Sequence, residues 1–332
     1  METSSSTLDL SRWRAAPLGV GYRRRTMIVT GIRGLLRTRF FRMLIGAAWL
    51  GGALIAAAGF VFSQSLASGG WLENLASKAG PRAEALFSVL TGLVALYPDV
   101  VVKTVFTGVF WAHSIIALWL SLAAITVLAP SLITRDRASN ALLVYLARPL
   151  TTVDYLLGKL GIIAGVLLLV WTGPLVFGWL LSMLFATDRD FIVYSLEPLL
   201  RALAFNGIAL VTLAAIALGV SALSRTSRNT VVAWVGLWLI FGFMALPPRA
   251  PEWIRRASFS HDLTEVRAEV LQLDRALTEA ADTLPLLNQR FANNLNMSAK
   301  TAQPTDFRGA LASLGVFVVA SSFVFFRKLK PE

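Results

Sequence analysis

The chain has 332 residues, 56% of them hydrophobic and 15% charged, with a formal charge of +12 and no cysteine. So apolar a composition excludes an ordinary water-soluble globule, and the missing cysteines exclude disulfides and thiolate metal sites. A bilayer core of roughly 30 Å takes about 20 apolar helical residues per crossing. Six runs approach or exceed that length, at 43–63, 108–133, 160–185, 202–223, 230–246 and 310–326. They are continuous, not alternating, so a β-barrel is excluded. The predicted fold is all-α: a polytopic membrane protein with six transmembrane helices, an N-terminal interfacial helix and extracytoplasmic helices.

In chain order, residues 1–22 are Ser-rich and polar, and are expected to form a flexible cytosolic N-terminus. Residues 23–42, RRRTMIVTGIRGLLRTRFFR, interleave arginines with Ile28, Ile32, Leu35 and Leu36 on one helical face. That pattern predicts an elbow helix along the inner leaflet, with guanidinium groups reaching lipid phosphates. The first apolar run reads as a retained signal anchor. Within it, Ala48, Gly52 and Ala56 have the spacing that lets two helices approach closely in lipid. They are a candidate packing face, either inside the chain or between two copies.

The piece 83–97, AEALFSVLTGLVALY, is short for a crossing, and a crossing there would invert every later loop. It is read as an amphipathic or re-entrant helix at the outer surface, ended by Pro98. Pro130 and Pro174 fall inside the second and third spans and predict kinks. The last large polar segment, 247–309, contains Leu263, Val266, Val270, Leu273 and Leu277 in a heptad seam that continues to Phe291. Asp262 and Glu265 read as a capping box for a helix over 263–283, with a break near Pro285. The seam predicts a partner: the chain's own helix at 83–97, a second copy, or an extracytoplasmic accessory protein. The final span, 310–326, leads into a basic tail.

With both termini placed in the cytosol, the inner segments carry 18 Lys and Arg against 5 Asp and Glu, and the outer segments 13 against 14. Nearly all the excess charge therefore faces one side. This is the positive-inside bias of a multi-pass protein of the cell (inner) membrane, and it gives no reason to invoke nucleic acid as a partner.

The apolar runs hold no Asp, Glu, Lys or Arg. His113 and His261 lie far apart in sequence, His113 being read as a packing residue. Neither an intramembrane catalytic constellation nor an ion-coupled path is legible. A phosphate-binding P-loop is also missing: LLGKLG at 156–161 has neither the upstream glycine nor the following hydroxyl. The chain is read as non-catalytic and free of cofactors. If nucleotide drives it, another chain binds that nucleotide.

Between the second and third spans lies the cytosolic stretch 134–159, whose pattern is helix, break at Arg148-Pro149, then helix from Thr151 or Thr152. Arg135, Asp136, Arg137 and Arg148 are expected to face whatever docks below. Ile133, Asp136, Leu142-Leu143, Pro149-Leu150-Thr151 and Leu157-Gly158-Lys159 resemble a pattern in the membrane subunits of type-2 ATP-binding-cassette (ABC) transporters. The usual Gly-Thr is replaced by Asn140-Ala141, and the usual glutamate by Asp136. The resemblance implies a half-transporter permease that works as a homo- or heterodimer with a separate cytosolic ABC ATPase carrying ATP and Mg. It also implies that 134–159 is the coupling loop, with Arg135, Asp136, Arg137, Asn140, Tyr145, Arg148, Pro149, Asp154 and Lys159 as contact residues. Three functions stay open: export of a hydrophobic or amphipathic substrate, relay of ATPase motion to an outer partner, and a membrane enzyme acting without ATP.

Overall fold

The computed structural model describes residues 19–66, 70–138, 151–186, 190–244, 251–283 and 306–329. Among them the chain is helical, with no strand. Helix α1, Val20–Leu36, ends in a turn at Arg37 and Thr38, and α2, Arg39–Leu66, follows. The first span thus begins at Arg39, not 43, because the Thr38 side chain accepts from the Phe41 N–H at 3.4 Å and opens the helix early. Two shorter helices come next, α3 (Trp71–Ala79) and α4 (Pro81–Leu96). Gly80, at φ 103°, makes the turn between them. The expected 83–97 helix is α4. Pro98 both ends it and opens α5, Pro98–Ala129, so the second span starts ten residues farther out than its apolar run suggests.

A π turn stands at each of the two predicted kinks, one beginning at Pro130 and the other ending two residues before Pro174. Pro130–Thr134 joins α5 to α6 (Arg135–Ala138), and Leu168–Thr172 joins α7 (Thr152–Leu167) to α8 (Gly173–Phe185). A wide turn accommodates a ring that has no N–H to donate and that crowds the preceding carbonyl. At the first turn the Ser221 hydroxyl replaces the lost rung: it accepts from the Ile133 N–H at 3.1 Å and donates to the Ala129 carbonyl at 2.8 Å. At the second, His113 Nε2 lies 3.2 Å from the Trp171 carbonyl, and Asn206 donates to Thr172 Oγ1 at 2.9 Å. His113 is therefore a buried packing residue.

Helix α9, Asp190–Leu223, is followed by α10 (Ser227–Met244), α11 (Glu252–Arg256), α12 (Phe259–Leu271), α13 (Leu273–Thr283) and α14 (Phe307–Leu329). Among the described residues, five helical stretches are long and apolar enough to cross a membrane: Arg39–Ser65, Pro98–Ala138, Val153–Phe185, Asp190–Leu223 and Phe307–Lys328.

Gly52 lies in the crossing of α2 over α8, and Ala48 and Ala56 are buried on the same helix. A methyl group on Gly52 would stand 2.6 Å from the Pro174 carbonyl oxygen, and Gly178 packs back against Gly52 and Ile55. Ser182 donates to the Ile55 carbonyl at 2.9 Å. At Gly52 the stripe is used inside the chain, the first of its two expected uses.

The outer seam is corrected. Its helix starts at Phe259, and the cap is Ser258, which accepts from the His261 N–H, not Asp262. It stops at Gln272, whose left-handed backbone (φ 51°) breaks the seam into α12 and α13. Leu263 and Val266 are fully buried in the main core, and Val270 packs against it. Phe259 stacks edge-on against Trp238 of α10 and lies 5.9 Å from Phe317 of α14. Leu273 and Leu277 are half-buried on α13, which runs along the outer end of α5, with Ala280 beside Val100, Leu93 and Tyr97. The described apolar residues of the seam thus have partners within their own chain, and its expected break near Pro285 and continuation to Phe291 lie outside the described residues.

Candidate functional site

The candidate site is the corner where α5 and α6 meet α1 and α7. Thr151 caps α7 in a reciprocal box: Asp154 N–H donates to Thr151 Oγ1 at 3.2 Å, and Thr151 N–H donates to the Asp154 carboxylate at 3.1 Å. Arg24 of α1 donates through Nε to the same carboxylate at 2.9 Å. Arg24 and Asp154 thereby fasten the start of α1 to the start of α7.

The two helices then cross closely. Gly158, Gly161 and Gly165 of α7 face Met27, Ile28 and Ile32 of α1, and Gly31 answers Ile162; a methyl group on Gly165 would lie 2.6 Å from Ile32 Cδ1. The apolar face expected to rest on lipid is in large part pressed onto α7. Gly158 is a crossing glycine, which gives LLGKLG a structural account without nucleotide.

One turn farther along α7, the Tyr155 hydroxyl is 2.8 Å from Asp136 Oδ2 and 3.2 Å from the Leu132 carbonyl. Lys159 reaches the same Asp136 oxygen at 2.7 Å and the Ser131 carbonyl at 3.4 Å, and its ammonium sits 5.3 Å from the centre of the Tyr155 ring. The Lys159 and Asp136 side chains are only 8% and 16% exposed, so this ion pair is largely shielded from water. Removing one partner of a buried pair costs about 3–5 kcal/mol.

Arg137 turns inward. It donates to the Ala222 carbonyl at 2.9 Å and the Lys328 carbonyl at 3.3 Å, binding the C-terminal ends of α9 and α14, where a cation meets the negative end of each helix dipole. Above it, Thr134 Oγ1 is 2.8 Å from Thr230 Oγ1 of α10.

Of the predicted contact residues, Asp136, Arg137, Asp154 and Lys159 brace the corner through contacts within the chain. Arg135 is exposed. Asn140, Tyr145, Arg148 and Pro149 lie outside the described residues. Sequence reasoning missed Arg24, Tyr155 and Ser221. Tyr155 did carry a signal, its i,i+4 spacing from Lys159, whereas nothing local marks Ser221 or Arg24.

A second polar cluster lies at the opposite end of the bundle. Arg256 reaches Asp262 at 3.2 Å, Glu265 at 2.7 Å and Asp306 at 3.2 Å, and Asp306 caps α14 by accepting from the Gly309 N–H. Burial pushes the Asp262 carboxyl up to about 6 against the pull of its hydrogen-bond partners and Arg256. Burial also pulls the neighbouring His261 below the ordinary histidine range. No group of acidic and imidazole side chains able to hold a metal occurs among the described residues.

Comparison with curated proteins gives no match. The profile of the ABC-2 family transporter proteins matches residues 72–328, from the outer helices through the last span. That match covers the α5, α6 and α7 side of the corner but not α1, together with both π turns and four of the five apolar spans, and the chain belongs to the ABC-2 family, the membrane permeases of ABC transporters.

Proposed function

We propose that this chain is the permease half of an ATP-driven exporter of a hydrophobic or amphipathic substrate, moved by a separate cytosolic ABC ATPase. It works as a dimer with six crossings per chain, Ser227–Met244 supplying the crossing beyond the five longer stretches. The N-terminus and the 134–159 loop face the cytosol, in agreement with the charge bias. Family membership supports the class, and one observation carries the coupling role: the helices that flank 139–150 on both sides belong to a braced frame. Asp136, Tyr155 and Lys159 lock the α5–α6 end to α7, while Arg137 ties it to α9 and α14. A push on such a loop is transmitted to several helices at once instead of being absorbed locally. The apolar runs within the spans hold no Asp, Glu, Lys or Arg, which suits an apolar path.

The relay reading rested on an outward-facing heptad seam, and the burial of Leu263 and Val266 leaves it without that support. The test is copurification of the ATPase with an Arg148→Glu variant, Arg137 being left intact because it holds the frame. The variant is expected to insert normally and to recover the ATPase about tenfold less well, in line with charge reversal at an interface. Undiminished recovery would remove Arg148 from the contact.

A further inference from the structure

Two arginines in the layer of outer helices stand in opposite electrostatic situations. Arg256 is ringed by three carboxylates. Arg267, on α12, has no carboxylate in ion-pairing range among the described residues. Its guanidinium lies 5.2 Å from the centre of the Trp111 ring, and its Nε is buried without an acceptor. Burial alone pulls its ionisation below the usual arginine range, with no opposing charge to restore it. A ring face offsets only part of the cost of desolvating a cation. The complement of such a group is an anion.

Position indicates which anion. Counting about 20 residues of helix, roughly 30 Å, from Ile133 back along α5 puts Trp111 just beyond the hydrocarbon edge. This is the depth where indole rings settle and lipid phosphates lie. Two turns of the same α5 face beyond Trp111 carry Thr107 and Lys103, at i−4 and i−8. They open onto a cavity of about 220 Å³ that also holds Arg201, Arg275, Glu197 and Glu279. Glu197 is already shared between Arg201 at 2.6 Å and Lys103 at 3.6 Å, so the cavity keeps an excess of cation.

We propose that Arg267, stacked on Trp111, seats the phosphate of a membrane phospholipid, with the headgroup directed toward the cavity beyond it. A planar guanidinium with its donors free matches a phosphodiester, and the indole beneath fixes its plane. The proposal does not depend on the transport role.

The experiment follows the thermal unfolding of the full chain, purified and delipidated in detergent. Phosphatidylglycerol, diacylglycerol with the same chains, and inorganic phosphate are added in turn. Phosphatidylglycerol is expected to raise Tm saturably, and the other two to do little. Arg267→Gln should weaken that response about tenfold or more, the loss of a charge-assisted pair, while Arg267→Lys keeps part of it. A third variant separates ligand binding from folding: Arg267→Met, tested without lipid, should leave Tm unchanged or raise it, because an uncompensated buried charge is removed. Equal phosphatidylglycerol responses in wild type and Arg267→Gln would overturn the proposal. So would diacylglycerol or phosphate acting as strongly as phosphatidylglycerol, or a lipid-free Arg267→Met that melts lower.

Discussion

Asp262 has no exposed surface and titrates near 6, whereas an unfolded carboxyl titrates near 3.8. Between those values the folded chain holds a proton that the unfolded chain has lost, so this group's contribution to stability falls as pH rises. Above pH 6 its ionised form costs the fold up to about 3 kcal/mol. Asp262→Asn should therefore gain stability relative to wild type as pH goes from 4 to 7, and denaturant melts at the two pH values check this; a constant difference would contradict it. Other single residues here answer to partners distant in sequence. Asp136 and Lys159 are both visible in the family pattern, yet their pairing is not, because 23 positions separate them and the loop between decides whether they meet. The same holds for Ser221, which looks like any other hydroxyl in an apolar run until it enters the ladder beside Pro130.

Among the elements, the apolar runs were legible because a bilayer demands them, and their ends were not. The runs stop where hydrophobicity stops, whereas the helices continue to the next cap or proline: α5 reaches out to Pro98, and α2 reaches in to Arg39. Gln272 broke the outer seam with no glycine or proline to announce it. Gly52 in the small-residue stripe was readable as a point of close approach, but which helix would fill the space was not, since small spacing names no partner. That contact now makes a prediction. Gly178→Leu should destabilise the fold by at least about 1–3 kcal/mol through overpacking against Gly52 and Ile55. Gly34→Ala, on a face of α1 with open space, should be neutral or stabilising by up to roughly 1 kcal/mol. Thermal melts of the two in the same detergent decide it; similar losses in both would mean that the α2–α8 crossing yields more than its geometry implies.

At the scale of the whole molecule, a braced corner stands at one end of the bundle, where the proposed ATPase would act. The frame of Asp136, Tyr155, Lys159 and Arg137 couples α5, α7, α9 and α14 at one end of the bundle, and the Arg256 cluster holds α11, α12 and α14 at the other. The natural chain has no cysteine, so one thiol introduced in place of Ser139 reports on this corner alone. The most direct measurement treats intact cells and inverted membrane vesicles with a membrane-impermeant maleimide, then tests cross-linking of the same thiol to the copurified ATPase. The account predicts labelling only from the cytosolic face and a cross-link to the ATPase. Labelling from outside intact cells would contradict it.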